Sequence, residues 1–346
     1  MSALAEPVPD AFPAGVARPV ASSVEELLAG ASAREPLTHD GKSGAVLERV
    51  SIAGEPYVVK HLGSHGDWVA RVSGDVACRP LVLWRAGIFD ALPPVVDHAT
   101  VGVAAGLGHH GWGAALLMRD VSEWLVPAGD HPLPLAQHRR FLHHMAALHA
   151  AFWGFEDEIG LMPLSHRYLM FGPHLWETER VLGSGAVVPE LARAGWDRFR
   201  SKAPGVAPIV LELRDAPWPL VDALEATPAT LLHGDWKAAN LGSGPDGRTI
   251  LLDWALPGRG PACADLAWYL AINSARVPEP LPDAIGAYRR SLAGCGVPVD
   301  AWWERQLDLC LLGAVIQFGW DMAAHGTAEN LAWWGARAQE GARWLG

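Results

Sequence analysis

The sequence predicts an α+β protein with two lobes, a β-rich N-terminal lobe over residues 1–120 and a mainly helical C-terminal lobe over residues 121–346. Three observations support this prediction. Half of the 346 residues are apolar, which is enough for a substantial core. Strand-like segments dominate the first third of the chain. Helical periodicity dominates the remainder, around one short strand-rich segment near 230–254.

The N-terminal lobe begins with a predicted β-hairpin. Two segments with β-like composition, 44–52 and 56–62, flank the turn Ala53-Gly54-Glu55, as expected for two paired antiparallel strands. A mostly helical pattern over about 70–92 follows and stops at two prolines. The apolar run 114–118 then predicts a buried strand, after which the chain passes into the second lobe.

The C-terminal lobe is predicted to be helical around a few strands. A helix is expected over 135–152, because its apolar residues recur on one face. Shorter segments interrupted by Pro and Gly occupy 154–230. Strands are expected at 230–232 and 249–254, and the later helices are expected near 264–272, 281–293, 300–324 and 328–344.

Composition excludes several classes of protein. The formal net charge of −11 argues against nucleic acid as the main partner, since phosphate backbones are held by Lys and Arg. The four cysteines show neither a CxxC pair nor a zinc-ligand spacing, which favours free thiols in a reducing cytosol. The first residues lack a basic leader, and the longest apolar run, 309–316, is too short to span a bilayer. We therefore expect a cytoplasmic protein without a membrane partner; its oligomeric state is left open.

Four features in chain order carry the residue types of a nucleotide-dependent reaction. Glycines allow backbone N–H groups to approach phosphate oxygens, and a strand lysine supplies a fixed positive charge. An Asp accepts the proton of an attacking hydroxyl. An Asn and a second Asp supply the hard oxygen ligands that Mg²⁺ prefers. The features are the turn His39-Asp40-Gly41-Lys42-Ser43-Gly44, Lys60 on a strand, Asp235 with Asn240, and Asp253 at the end of an apolar strand.

Together these features match the requirements of phosphoryl transfer from a nucleoside triphosphate. The side chains of Val58 and Lys60 point to the same face of their strand, so Val58 is predicted to form the floor of the base pocket beside the lysine.

The sequence resembles a known family at two motifs. H-G-D-W-K-A-A-N, ending at Asn240, and L-L-D-W-A-L-P-G-R-G-P-A-C-A-D-L-A-W-Y-L resemble the aminoglycoside phosphotransferase and choline kinase branch of the protein-kinase-like fold. The resemblance runs from about residue 41 to residue 269 and is sharpest from 232 onward. It implies that Asp235 is the catalytic base and that Asn240 and Asp253 hold Mg²⁺.

The resemblance also implies further roles. Asp265 would brace the catalytic loop. Lys237 is a departure from the family pattern, because many aminoglycoside enzymes have no lysine there; protein kinases often do, and in that position it would contact the γ-phosphate. The backbone of Leu117, Met118 and Arg119 would form the hinge that holds the adenine or guanine edge of ATP or GTP. The expected nucleotide-binding residues are Gly41, Ser43, Gly44, Val58, Lys60, Leu117, Met118 and Arg119.

Some interpretations stay open at this point. In the family, the helix after the strand lysine, here Lys60, offers a Glu that pairs with it. Between Trp68 and Trp84 this sequence has no Glu, and its one acidic residue is Asp75. Asp235 alone is also compatible with a loop turn in which its carboxylate caps a backbone N–H. Lys237 is also compatible with a solvated loop charge.

The predicted function is NTP-dependent transfer of a γ-phosphoryl group to a hydroxyl of a small molecule. Inactivation of an antibiotic, as in aminoglycoside phosphotransferases, is favoured. The alternatives are a kinase for a metabolite such as a sugar or an amino alcohol, and a non-catalytic nucleotide-binding pseudokinase. The helical inserts over 154–230 and 275–346 would choose the acceptor, through converging acids for a polycation or through aromatic faces for a neutral compound.

Overall fold

The computed structural model describes residues 18–38, 41–106 and 113–345. Within these ranges an antiparallel sheet forms the N-terminal part and helices form most of the C-terminal part, so the predicted α+β bilobal fold is confirmed. The elements of the N-terminal part are α1 Val24–Leu27, β1 Ala31–Pro36, β2 Val46–Ile52, β3 Glu55–Leu62, α2 Trp68–Val72, α3 Arg79–Arg85, β4 Val96–Asp97, β5 Thr100–Ala105 and β6 Ala114–Arg119.

The N-terminal sheet has five strands in the order β1-β2-β3-β6-β5. The predicted hairpin is present as β2 and β3, which pair in antiparallel register from Val46 opposite His61 to Ile52 opposite Glu55. The predicted strand at 114–118 is β6, and it lies between β3 and β5. Strands β1 and β5 were not predicted. Most of β1 is exposed, so it lacks the alternation that identifies a half-buried strand.

The helical stretch expected over 70–92 is divided into α2, α3 and a short 3₁₀ turn at Ile88–Asp90. The break falls between Ser73 and Cys78, where Cys78 takes a left-handed backbone conformation with φ of 56°. The Asp75 carboxylate accepts the backbone N–H of Arg79 at 3.0 Å and so starts α3. Pro80 lies in the first turn of α3, where a missing N–H costs nothing.

The C-terminal part packs around one long buried helix. Apolar side chains of α12 cover nearly all of its circumference, because α7, α8, α10 and α13 all pack against it. The elements of this part are α4 Leu135–Ala151, α5 Leu164–Leu169, α6 Pro173–Leu182, α7 Val187–Lys202, α8 Ala207–Asp215, α9 Trp218–Glu225, β7 Thr230–Leu232, β8 Leu241–Ser243, β9 Thr249–Leu251, β10 Gly258–Gly260, α10 Cys263–Ile272, α11 Leu281–Gly294, α12 Trp303–His325 and α13 Ala328–Ala342.

Helix α12 is also long and apolar enough to cross a membrane by length and composition alone. Of its most apolar window, 78% is buried inside the protein. A core helix meets the same criteria, so α12 is weak evidence for a membrane span.

Short strands place the two sequence motifs side by side. β7 pairs with β10, and β8 and β9 pair with each other in antiparallel register. β9 also pairs in parallel with β4 from the N-terminal part. The segment 233–240 therefore lies between two pairs of strands, and β9 ends two residues before Asp253. The predicted strand at 249–254 is shorter than expected, because the backbone of Asp253 has φ of 62° and cannot continue a strand.

Candidate active site

The loop that follows β7 turns sharply at Gly234. Its φ is +86°, which favours glycine, and a Cβ at this position would lie 1.8 Å from the carbonyl oxygen of Leu256. The ring of His233 contacts the same neighbouring segment, since its Nε2 bonds the carbonyl oxygen of Leu252 at 3.0 Å. Only glycine at position 234 lets the loop pass this close to the segment that follows β9.

Asp265 holds the backbone of this loop. Its carboxylate, fully buried in α10, accepts the N–H of His233 at 2.8 Å and the N–H of Gly234 at 3.0 Å. Burial opposes the charge, yet the hydrogen bond from His149 and the Arg167 guanidinium outweigh it and lower the pKa of Asp265 to about 2. The carboxylate is therefore ionised, and it acts as the brace that the resemblance implied.

Two buried side chains support Asp265. The Arg167 guanidinium, from α5, donates to Asp265 Oδ1 at 3.3 Å and to the carbonyl oxygen of Gly234 at 3.1 Å. His149, from α4, lies 3.4 Å from Asp265 Oδ2 and bonds the Tyr288 hydroxyl at 2.6 Å. Loop geometry is thus fixed by groups from three helices.

Three side chains donate hydrogen bonds to the Asp235 carboxylate. The Lys237 ammonium donates to its Oδ2 at 2.5 Å, and the Asn240 amide donates to the same oxygen at 2.9 Å. The indole N–H of Trp268 donates to Oδ1 at 3.1 Å. Three donors therefore hold a carboxylate whose residue is only 6% exposed.

Lys237 lies between two acids. Burial disfavours its charge, but the carboxylates of Asp235 and Asp253 outweigh this effect and raise the pKa of Lys237. The side chain is therefore a cation beside the Asp235 carboxylate. The γ-phosphate contact predicted for Lys237 stays a prediction, as does its solvated-loop alternative.

Asp253 forms an ion pair with the strand lysine. Lys60 Nζ lies 2.6 Å from Asp253 Oδ1, which joins β3 to the segment after β9. Burial alone would raise the pKa of Asp253, but Lys60 and Lys237 lower it to about 2. The question of the partner of Lys60 is thereby answered: the ion-pair partner is Asp253, whereas Asp75 is used to start α3.

Asn240 and Asp253 fit a magnesium site. The Asn240 amide donates through Nδ2 to Asp235, so the atom that would bind a cation is its Oδ1. The backbones of the two segments are adjacent, since the N–H of Leu252 donates to the carbonyl oxygen of Asn240 at 2.9 Å. Mg²⁺ is commonly bound through one or two protein oxygens plus phosphates and water, and two ligands suffice. Among the described residues no cluster of three or more His, Cys, Asp or Glu competes with this pair.

One face of the N-terminal sheet lies above this ion pair. Cross-strand partners share a face, so the pairs Val58–Met118 and Lys60–Leu116 place four side chains together. Lys60, Leu116 and Met118 line a small cavity with Asp253. Val58 thus lies beside Lys60 on this face, whereas its predicted role as the floor of the base pocket stays a prediction.

Leu117 and Arg119, the other residues of the predicted hinge, direct their side chains to other parts of the structure. The Leu117 side chain packs on the opposite face of the sheet, with Val50 and Val59. The N–H of Arg119 donates to the carbonyl oxygen of Ala99 at 3.0 Å, and its guanidinium pairs with Asp97. Their backbone groups belong to a central strand, so the base-edge contact predicted for them stays a prediction.

The predicted phosphate-binding turn is attached to α2. His39 and Asp40 lie outside the described residues. Gly44 has φ of +94°, and a Cβ there would lie 2.2 Å from the carbonyl oxygen of Gly66. The carbonyl oxygen of Ser43 accepts the N–H of Trp68 at 3.2 Å, and the Trp68 indole donates to the carbonyl oxygen of Lys42 at 2.6 Å. Close packing of two backbone segments therefore explains the glycine at position 44, whereas the phosphate role of Gly41, Ser43 and Gly44 stays a prediction.

Helix α2 links this turn to the C-terminal helices. Asp67 caps α2 by accepting the N–H groups of Val69 and Ala70. Arg71 forms a two-pronged ion pair with Glu179 of α6, with donor–acceptor distances of 2.9 and 2.5 Å. Burial raises the pKa of Asp67, although Lys60 opposes this change. Asp67 is thus a second acid within electrostatic range of Lys60.

Sequence reasoning missed Arg167, His149 and Trp268. Arg167 lies in a region interrupted by Pro and Gly, and nothing in its local sequence distinguishes it. His149 lies in the helix predicted over 135–152, and nothing in the local sequence indicates its contact with Asp265. Trp268 carried a usable signal, because it follows Asp265 by three residues on a helix and therefore shares its face.

Comparison with known proteins agrees with this geometry. The family model described as "Phosphotransferase enzyme family" (APH) matches residues 59–298, which is most of the chain. No curated protein sequence matches the chain.

Many solved structures are similar in outline. Choline kinase LicA from Streptococcus pneumoniae is 12% identical, with a TM-score of 0.48 over 93% of this chain and 97% of that chain. A thermostable mutant of aminoglycoside phosphotransferase APH(4)-Ia, with ADP and hygromycin B, is 12% identical, with a TM-score of 0.47 over the same shares. The microcompartment-associated aminopropanol kinase is 16% identical, with a TM-score of 0.46 over 90% of each chain. Similarity at this level carries no information about the acceptor. The family model matches the region that holds Lys60, Asp235 and Asp253, and this match shows that the chain belongs to the APH phosphotransferase enzyme family, a family of small-molecule kinases.

Proposed function

We propose that this protein transfers the γ-phosphoryl group of ATP or GTP to a hydroxyl of a small molecule, with Asp235 as the base. The observation that carries the proposal is the arrangement of Asp235 among Lys237, Asn240 and Trp268, in a loop that Asp265 holds from behind. Phosphoryl transfer needs little covalent chemistry from the protein, so catalysis rests on positioning and charge.

Each residue has a defined task in this proposal. Asp235 accepts the hydroxyl proton of the acceptor, and Lys237 places a positive charge beside the transferred group. Asn240 and Asp253 would hold Mg²⁺, which neutralises charge between the β- and γ-phosphates when it is bound. Lys60 keeps Asp253 ionised before the nucleotide arrives, and its own charge then attracts the phosphates.

The nucleotide is proposed to lie against the face of the sheet that carries Val58, Lys60 and Met118. The lobe division near residue 120 fits this proposal, since β6 ends at Arg119. On this face Val58, Leu116 and Met118 supply apolar surface, and the Lys60–Asp253 ion pair supplies charge beside it. A flat base and a polyphosphate need these two environments next to each other.

An antibiotic is the favoured acceptor class, because the family model is that of the APH phosphotransferases. A metabolite kinase acting on a sugar or an amino alcohol is the alternative. The intact set of Asp235, Asn240 and Asp253 argues against the pseudokinase alternative, which had rested on the missing Glu partner of Lys60. We further propose that the enzyme acts in the cytoplasm, where nucleoside triphosphates are available.

The test is a screen followed by one variant. Purified protein with Mg²⁺ and ATP or GTP is incubated with a panel of aminoglycosides, other hydroxylated antibiotics, sugars and amino alcohols. The mass of each candidate acceptor is then measured by mass spectrometry. A gain of one phosphoryl group identifies the acceptor. Asp235→Ala should then bind nucleotide normally while kcat falls about 10²–10⁴-fold. Near-normal turnover by a folded Asp235→Ala protein would rule out Asp235 as the base.

A further inference from the structure

The Asp235 carboxylate has a limited number of acceptor positions. An ionised carboxylate offers about four, two on each oxygen. Lys237 and Asn240 occupy both positions on Oδ2, and Trp268 occupies one position on Oδ1. One acceptor position is left, and it lies on Oδ1.

The indole of Trp268 is held rigidly. Its ring packs edge-on against Phe318, with centroids 4.7 Å apart, and it tilts against Phe171 at 6.4 Å. The Arg167 guanidinium lies over the ring, 4.9 Å from its centroid. Trp268 is 3% exposed, so the direction of its N–H is set by packing and not by solvent.

Helix α10 therefore controls the catalytic loop in two ways. Asp265 and Trp268 are three residues apart and share one helix face. Asp265 fixes the loop backbone at His233 and Gly234, while Trp268 fixes the side chain of the next residue. An indole has one donor and no acceptor, so Trp268 orients the carboxylate without competing for the proton.

We propose that Trp268 is a positioning residue for phosphoryl transfer, which sets the rotation of the Asp235 carboxylate so that the remaining position on Oδ1 faces the acceptor hydroxyl. This inference rests on the proposed role of Asp235. In the reaction the hydroxyl proton moves to Asp235 Oδ1 and the hydroxyl oxygen bonds to the γ-phosphorus. The bond from that phosphorus to the β-phosphate oxygen breaks, and the nucleoside diphosphate leaves with the electron pair.

The kinetic test removes the N–H and keeps an aromatic ring. Trp268→Phe is compared with the matched control Trp320→Phe. Trp320 is a buried tryptophan that also contacts Phe171, and its indole N–H donates to the carbonyl oxygen of Gln317. Hydrolysis of MgATP, with water in place of the acceptor, is measured by phosphate release, and MgATP affinity is measured by titration.

Trp268→Phe should lower the rate of phosphate release about tenfold to a hundredfold, since a misplaced reacting group costs up to that amount. MgATP affinity should not change, and Trp320→Phe should match the wild type in both measurements. A loss of affinity in parallel with rate would indicate a merely structural role and overturn the inference. A wild-type rate for Trp268→Phe beside a slow Asp235→Ala would overturn the inference and leave the proposed function standing. Wild-type rates for both variants would overturn both.

A second measurement is independent of turnover and of the folding of Trp268→Phe. Protein labelled with ¹⁵N at the tryptophan indoles is examined by NMR, with the resonance of Trp268 assigned in the wild type through its nuclear Overhauser contacts with the ring of Phe318. Asp235→Asn, which keeps the shape of the side chain and removes its charge, should move one indole N–H resonance strongly upfield. The Trp320 resonance should stay in place. An unchanged set of indole resonances would overturn the contact and the inference with it.

Discussion

Asp265→Asn should destabilise the protein more than most single substitutions. The replacement keeps the size of the side chain and removes its negative charge, so that only one oxygen remains to accept the N–H groups of His233 and Gly234. The Arg167 guanidinium, nearly fully buried, loses its carboxylate. An uncompensated buried charge typically costs about 3–5 kcal/mol.

The pKa of Asp265 gives a second estimate of the same quantity. Its lowering to about 2 from the ordinary value of 3.8 corresponds to about 2 kcal/mol in favour of the charged form. The larger figure includes the unpaired backbone N–H, so we expect a loss of about 3–5 kcal/mol at pH 7. A carboxyl group with a depressed pKa contributes stability above its unfolded pKa near 4. This contribution is lost as the pH falls toward 2.

Urea unfolding of the wild type and Asp265→Asn at pH 7 and at lower pH measures this loss. Asp300→Asn is the control, because the side chain of Asp300 is 95% exposed and should change stability by less than about 0.5 kcal/mol. The difference between wild type and Asp265→Asn should shrink as the pH falls from 4 toward 2. Equal stability of the two proteins at pH 7, or a difference that does not shrink in acid, would refute the reasoning.

Three further predictions concern the reaction. Asp253→Ala should abolish Mg²⁺-dependent nucleotide binding and Asn240→Ala should weaken it, because both supply oxygen ligands; equal nucleotide affinity of the wild type with and without Mg²⁺ contradicts this. Lys60→Ala should raise KM for nucleotide, whereas Lys237→Ala should chiefly lower kcat, and a kinetically silent Lys237→Ala would favour the solvated-charge alternative. The acceptor KM should rise steeply with salt for a polycationic acceptor and stay flat for a neutral one, because exposed charges are screened over about 8 Å at physiological ionic strength.

The parts of the site that lie close together in sequence were predictable. The loop acid, the amide five residues later and the acid after the next strand follow from local motif spacing, and the hairpin that carries Lys60 follows from two β-like segments around a turn. The structure brings Lys60, Asp235 and Asp253 into one cluster, as their order in the chain suggested.

The long-range contacts were not predictable. Lys60 and Asp253 are separated by 193 residues, and Arg167 and Asp265 by 98. Such pairings depend on how the helices pack, and hydrophobic periodicity does not encode partners. The extra strand β1 was missed for another reason: it is an exposed edge strand that pairs through its backbone, so its side chains carry little pattern.

The Arg71–Glu179 ion pair limits which substitutions α6 can accept. It joins α2, on which the turn at Gly44 rests, to α6 in the helical part of the chain. Glu179 is 4% exposed and lies 108 residues after Arg71 in the sequence. Its loss would remove the carboxylate that pairs with the Arg71 guanidinium. A substitution at Glu179 would therefore loosen the attachment of α2, and of the turn at Gly44 that packs on it, to α6. Under the proposed function, the nucleotide-binding turn and the helical part that would choose the acceptor share this one contact.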